Sequence, residues 1–274
     1  MVVVSVVMIT YGHENYISEA INGVLSQECN FEFELILSND ASPDNSDFVI
    51  NKCLSSHPKA HLVKYFNHDT NLGMMGNSLF AMNRAKGKYI AFCEGDDYWT
   101  DNRKLQLQVD FMESHSDYSM IFHKVIISQI NDEDTFSYPI PPCDTLYLSD
   151  IIRSHYIPTC SLLYRSSYFP KGYPEWLINS ISGDIPLEIL LSSRGKTKYI
   201  DISMACYRRN LGGISQSKAQ ISKMRIGYIY MYWKVLQEIG LIKGYYLLSR
   251  LVRLVLGLFR NKVLSFLKSK GSII

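Results

Sequence analysis

Residues 87–99, "GKYIAFCEGDDYW", place three carboxylates, Glu94, Asp96 and Asp97, within four positions of a mostly apolar run, Tyr89 to Cys93. A short apolar run bounded by turn residues reads as a buried strand, so the acids fall at a strand end. Carboxylates crowded into a partly buried site cannot all stay ionised cheaply: one takes up a proton, or a cation neutralises them. Hard oxygen ligands suit magnesium or manganese, which complete their shells with water and substrate phosphates. One acid there would serve as the N-cap of a following helix, but three exceed what a cap needs.

The elements that must position these acids follow from periodicity. "VVVSVVMI" (residues 2–9) is a β-branched run suited to a central parallel strand. It reads as that rather than as a signal peptide, because no basic residue precedes it. "ENYISEAINGVLSQ" follows, with Tyr16, Ile17, Ala20, Ile21, Val24 and Leu25 at helical spacing. "FEFELILS" is the next strand. "NDASPDNS" opens a helix with Ser42 as expected N-cap and Pro43 at its first position. "AHLVKYFN", the helix "SLFAMNRAKG" and the strand "KYIAFC" complete a strand–helix alternation over the first hundred residues. This implies an α/β fold with a mostly parallel sheet and helices on both faces. In such sheets ligands sit at the carboxyl ends of the strands. Thr10 and Tyr11, Asn39 and Asp40, and Glu94 to Asp97 fall at those ends.

Further along, a helix is expected over 102–115 and a single strand over "YSMIFHKVIIS", where His123 reads as a partly buried structural histidine. A short helix at "LSDIIRSH" and strands at "PTCSLLYR" and "KTKYIDI" flank a helix at "DIPLEILLSSRG". Thr159 and Cys160 are expected to line a cleft. The six cysteines are scattered without a C-x-x-C pair, which argues against a structural zinc site and a disulfide framework and for a reducing cytosol.

The net charge of +2 hides an asymmetry. From Lys218 on there are eleven Lys and Arg against one acid, Glu238, giving a tail of +10 on a body of −8. Such a division suggests a body that takes metal or polar substrate and a tail that faces something anionic.

The segments "VVMITYGHENYISEAINGVLSQ", "LILSNDASPDNS", "NLGMMGNSLFAMNRAKGKYIAFCEGDDYW", "SGD" and "YRRNLGG", in this order, resemble the family-2 glycosyltransferases over about residues 3–215. The resemblance implies a GT-A fold, a Rossmann-like nucleotide-sugar architecture, and inverting, metal-dependent transfer from a nucleotide-diphosphate sugar, a UDP-sugar first, to an acceptor hydroxyl. It implies a nucleotide site of Thr10, Tyr11, Glu14, Asp40, Asn71, Gly73 and Glu94. Asp40 corresponds to the acid that meets the base edge, although its local setting also fits a turn-forming acid. Glu94, Gly95 and Asp96 match the D-x-D triplet with Glu in first place. Asp96 is then the ligand of Mg²⁺ or Mn²⁺ and Glu94 a ribose contact. Asp97, Arg208 and Arg209 would touch diphosphate or sugar. Asp184 matches the general base, with the N-cap of its helix as the local alternative. Asn210 stands where a histidine is common in the family.

The expected layout is a catalytic domain over 1–217, with a nucleotide half (1–100) and an acceptor half (101–217), and a basic amphipathic helical tail over 218–274. No stretch of the tail is apolar enough to span a bilayer, so it is expected to lie on an anionic membrane surface, with packing on the body or an oligomer contact as the alternatives. The implied acceptor is a lipid-linked or surface-polysaccharide glycan, and the implied location the cytoplasmic face of the cell membrane. No nucleic-acid partner is implied. A nucleotidyltransferase of related fold and a non-catalytic membrane-peripheral scaffold are the competing readings. The first would want a Gly-rich, basic phosphate loop after the first strand, which "TYGHENY" lacks.

Overall fold

The computed structural model describes residues 1–128, 137–209 and 221–270, with side chains at all of these except 221–223 and 258–270. The repeating unit is the one that the alternation requires. β1 (Val4–Thr10), β2 (Phe33–Asn39), β3 (Val63–Asn67) and β4 (Tyr89–Phe92) are parallel, in the spatial order β3-β2-β1-β4. Between them run α1 (Ile17–Leu25), α2 (Ser46–Ser56) and α3 (Gly73–Met82). In β1 and β2 only Ile9 is even partly exposed, which suits strands covered on both faces.

After β4 come β5 (Tyr98–Trp99), α4 (Lys104–Ser114), β6 (Tyr118–His123), β7 (Ile126–Ser128), β8 (Thr145–Leu146), α5 (Leu148–Arg153), β9 (Leu163–Arg165), α6 (Asp184–Ser192), β10 (Lys196–Ile200) and β11 (Ala205–Arg208). β9 inserts antiparallel between β4 and β6, and β10 and β8 extend the sheet to eight strands. Because β9 runs backwards, its amino end meets the carboxyl end of β4: the Phe92 N–H donates to the Leu162 carbonyl. The expected single strand over "YSMIFHKVIIS" is two. β6 stays in the large sheet, whereas β7 leaves after Lys124 to join β11 and β5 in a three-stranded sheet. That small sheet lays Arg208 beside the acids after β4.

Two cores flank the sheet. One holds Ile17, Ile21, Val24, Leu35, Leu37, Trp99 and Leu105 under α1 and α4. The other holds Met82, Phe92, Met120, Leu187 and Leu190, and it also takes Met231, Tyr232, Val235 and Leu236 of α7 (Ile221–Lys243) with Leu247 and Leu251 of α8 (Tyr245–Lys270). The basic tail is therefore packed on the body through its first two helices. Its carboxyl-terminal residues 271–274 lie outside the described residues. Among the described residues, no helix is long and apolar enough to cross a membrane.

The second helix does not begin where its sequence suggested. α2 starts at Ser46, and the Ser42 hydroxyl is committed elsewhere: it donates to Asn39 Oδ1 and accepts the Gly12 N–H at 3.0 Å. Asp44 takes over at the helix entrance, accepting from the Ser46 N–H and hydroxyl.

Candidate functional site

The carboxyl ends of β1, β2 and β4 meet as the sequence predicts. At β1, Thr10 is buried, and its carbonyl accepts the Asp40 N–H at 3.0 Å, tying this strand end to that of β2. Tyr11 follows and is half exposed, its ring open to the surface. Glu14 is placed differently from a residue waiting for ligand: its Oε2 accepts from both the backbone N–H and the side-chain amide of Asn45, each at 2.9 Å. It joins the β1 loop to the entrance of α2.

Asp40 is buried, and Oδ1 accepts the Leu72 N–H at 2.6 Å, while its carbonyl accepts from Asn71 Nδ2. Asn71 Oδ1 in turn accepts the Gly73 N–H. Gly73 has φ +76°, a left-handed conformation that glycine adopts without strain, so the 71–73 segment can wrap against Asp40.

Gly95 lets the acid loop approach β1. A Cβ there would meet Thr10 Oγ1 at 2.7 Å and His13 Nδ1 at 3.0 Å, and the Gly95 N–H donates to the Ile9 carbonyl. Beside it Thr10 Oγ1 and His13 Nδ1, and Oε2 of the adjoining residue Glu94, are buried with no hydrogen-bond partner among the described residues. Buried polar atoms are normally satisfied, so unpartnered ones on adjoining strand ends ask for a ligand. The electrostatics agree. Burial first, then Asp97 and Asp96, raise the Glu94 carboxyl well above its ordinary range. Burial and Asp96 raise Asp97 to about 8, against the opposing pull of the Arg208 N–H. Asp96 Oδ2 lies 3.9 Å from His13 Nε2.

Arg208 closes this corner. Its N–H donates to Asp97 Oδ1 at 2.8 Å, its Nη1 to the Asp96 carbonyl at 2.9 Å, and its Nη2 pairs with Glu19. The guanidinium lies 4.2 Å from the centre of the Tyr98 ring. Arg209 donates its N–H to the Ser128 carbonyl, which anchors β11 to β7. Asn210 lies outside the described residues. Cys160 is buried beneath the acids rather than lining a cleft, and its carbonyl accepts from Trp99 Nε1.

Asp184 opens α6. The N-cap position belongs to Gly183, which makes no side-chain cap. Asp184 Oδ1 accepts from the Ser182 hydroxyl and from the Ile185 N–H at 2.9 Å. Its charge reaches the first cluster: Asp184 is among the groups that raise Glu94.

A likeness to known proteins follows the same lines. The model for "Glycosyl transferase family 2" matches residues 5–172. The chain belongs to glycosyl transferase family 2. An uncharacterized protein of Mycobacterium bovis is 32% identical over 214 residues, covering 78% of this chain and 60% of its own length. The family-2 chain thus spans about three fifths of that relative. Among solved structures, TarS of S. aureus in complex with UDP-GlcNAc superposes with a TM-score of 0.70 at 19% identity, covering 92% of this chain and 72% of its own. The mannosyltransferase PcManGT of Pyrobaculum calidifontis, in complex with GDP-Man and Mn²⁺, gives 0.57 at 12% identity, covering 98% and 79%. At these identities the structures establish the shared fold.

Three residues with sites of their own carried no weight in the sequence reading: His13, His155 and Glu188. Glu188 had a readable signal, since Asp184 and Glu188 stand four apart and share one helix face. His13 and His155 had none, because only the fold brings a loop histidine to a carboxylate.

Proposed function

We propose that this family-2 protein transfers a sugar from a nucleoside-diphosphate donor, UDP-linked, to an acceptor hydroxyl with inversion at the anomeric carbon. The observation that carries the reading is the set of unpartnered buried atoms at the β1 and β4 ends, Thr10 Oγ1, His13 Nδ1 and Glu94 Oε2, beside carboxylates held above their ordinary range. TarS, of the same fold, is seen with UDP-GlcNAc, and PcManGT with GDP-Man and Mn²⁺.

In this reading Thr10, Tyr11 and the segment 71–73 receive the nucleoside. Asp40 offers Oδ2 to the base edge, its Oδ1 being committed to Leu72. Glu94 faces the ribose, and Asp96 holds Mg²⁺ or Mn²⁺. The residues fit such an ion: hard carboxylate oxygens, charges that raise one another's proton affinity, and a buried carboxylate oxygen left without a partner among the described residues. When bound, the ion supplies Lewis-acid neutralisation of the departing diphosphate. Arg208 contributes by holding Asp97 and the Asp96 backbone in place. It reaches the diphosphate only after leaving Glu19. Asp184 takes the proton from the acceptor hydroxyl as that oxygen attacks the anomeric carbon and the C–O bond to the diphosphate breaks.

The acceptor is a lipid-linked or surface glycan, met at the cytoplasmic face of the membrane. α8 supports this with an exposed row of Tyr245, Leu248, Val252 and Leu256 beside Arg253, opposite the face that packs on the body. Donor turnover with Mn²⁺ tests the central claim, across a panel of nucleotide sugars. Wild-type turnover lost in Asp96→Ala supports it; equal turnover in the two proteins refutes the metal assignment. No heat on titrating either UDP or Mn²⁺ would favour a scaffold instead.

A further inference from the structure

Glu188 is an acid on an apolar helix. It is 2% exposed, between the buried Leu187 and Ile189, and a leucine would satisfy the packing there. A buried carboxylate is costly unless something pairs with it. Its partner is His155, from the segment after α5. His155 Nδ1 lies 3.4 Å from Glu188 Oε2, and His155 Nε2 lies 3.5 Å from Asp184 Oδ2. The imidazole stands between two carboxylates that are four residues apart on one face of α6. The three ligand atoms come within 4.8 Å of one another. One ring nitrogen is turned to each acid, so the ring acts as a bridge and not as one arm of a metal cage. Serving both acids as donor requires a proton on each nitrogen.

We propose that His155 is a positioning residue: as an imidazolium anchored on buried Glu188, it fixes the orientation of the Asp184 carboxylate for proton abstraction. Asp184 Oδ1 is already held by Ser182 and by the Ile185 N–H. Those two donors fill the acceptor sites of Oδ1; His155 Nε2, 3.5 Å from Oδ2, orients the second oxygen and leaves it a lone pair for an acceptor hydroxyl. Glu188 supplies a counter-charge that stays in place when Asp184 becomes neutral on taking the proton. The surroundings of the imidazole are Glu188 and Asp184 on α6, Arg250 on α8, and the Tyr138 ring, whose centroid is 5.8 Å away. Burial and Arg250 oppose the charge on His155, but Glu188 and Asp184 outweigh them and raise the imidazole to about 9.

The inference rests on reading Asp184 as the base, and its test separates the two. NMR of labelled histidine reads the His155 titration directly, without turnover. His155 is expected to titrate near 9 in the wild type. Glu188→Gln should lower that by about one unit or more, and Asp184→Asn by less. In parallel, the alkaline limb of kcat should move down with Glu188→Gln by the same shift as the NMR titration, with KM for the donor unchanged. His155→Gln should remove that limb and lower kcat about tenfold. A His155 that titrates at its ordinary value, or that is insensitive to both α6 variants, overturns the bridge. A shifted titration with an unmoved kcat limb overturns the positioning role. Should Glu188→Gln not fold, Asp184→Asn still reads the titration and His155→Gln the limb. If Asp184→Asn transfers sugar as well as wild type, the base reading fails while the titration still reports the bridge.

Discussion

Glu94, Asp96 and Asp97 after β4, and Asp184 and Glu188 on α6, are two groups of acids that feel each other's charge. They are neutralised differently. The α6 pair encloses a histidine of its own, which faces both carboxylates. The β4 group receives Arg208 on Asp97 and on a backbone carbonyl only. Each group leaves one buried carboxylate oxygen without a hydrogen-bond partner among the described residues, Glu94 Oε2 and Glu188 Oε1, but only the α6 pair has a cationic ring facing both of its acids. A built-in cation suits a group that must keep one geometry through turnover. An incomplete one suits a group that must receive a charged ligand and release it. In the proposed function the chain thus keeps the acids that receive the donor apart from the acid that takes the proton, close enough that Asp184 is felt at Glu94.

The largest effect should come from the reacting side. Asp184→Asn keeps the volume and the acceptor atom for the Ile185 N–H but cannot take a proton. Transfer should fall by about 10³-fold, within the usual range for a general base, with donor binding by calorimetry unchanged. Loss of donor binding would show that Asp184 supports the site instead of acting in it.

Next is the packing that holds α6. Met231 of α7 is fully buried in the core that contains Leu187 and Leu190. Met231→Ala should destabilise the protein by about 2–5 kcal/mol in denaturant unfolding. Ile242→Ser, at the nearly fully exposed end of α7, should stay within about 0.5 kcal/mol. The same packing bears on the membrane reading. Deleting residues 218–274 would uncover the α6 face that α7 packs on, Leu187 and Leu190 among it, so changed vesicle binding by the truncated protein would have two causes. Val252→Ser with Leu256→Ser removes only the exposed row. It should reduce sedimentation with anionic vesicles while leaving the melting temperature in place. Unchanged sedimentation would remove α8 as the membrane contact.

A smaller effect tests the incomplete cluster through pH. Asp97 is raised to about 8 from an ordinary 3.8, so the folded chain binds a proton that the unfolded chain has lost. Its contribution is complete below about pH 4 and is lost as the pH rises through 8. The metal-free protein should therefore melt at progressively lower temperature from pH 6 to 8 through this group. Mn²⁺ should counter the loss and release protons on binding, read as a buffer-dependent heat. Asp96→Ala should abolish both responses. A melting temperature indifferent to Mn²⁺ at pH 8 would erase the distinction between the two clusters.

How much of this was legible in the sequence depends on distance along the chain. Strand–helix alternation in the first hundred residues gave β1 to β4 and the edge where Thr10, Asp40 and Glu94 meet, because period and turn chemistry are local. The antiparallel insertion of β9 and the departure of β7 were not legible, since neither "SLLYR" nor "KVIIS" carries the address of its partner strand. Ser42 reads locally as a cap but is not one, for the same reason: its bond to Gly12 crosses thirty residues. Asp184 was found through the family pattern, but His155 depends on a contact that no spacing announces. The tail's charge suggested a surface helix, whereas its pattern of Met231, Val235, Leu247 and Leu251 encodes packing on the body, an encoding that needs the partner face to be read.

The smallest effect concerns the residue that departs from the family triplet. Glu94 is one methylene longer than Asp, and its Oε2 is buried without a hydrogen-bond partner among the described residues. Glu94→Asp would draw the carboxylate back by about one C–C bond, still within reach of a ribose hydroxyl through small loop adjustment or one water. KM for the donor should rise by less than about tenfold, since one hydrogen bond of a nucleoside is worth about 0.5–1.5 kcal/mol, with kcat and the Mn²⁺ dependence retained. Direct coordination would respond otherwise, because an octahedral ion holds its oxygens to near-ideal distances. Glu94→Asp that shifts the Mn²⁺ requirement as strongly as Asp96→Ala would make Glu94 a ligand of the ion, and the division of labour within the triplet would have to be redrawn.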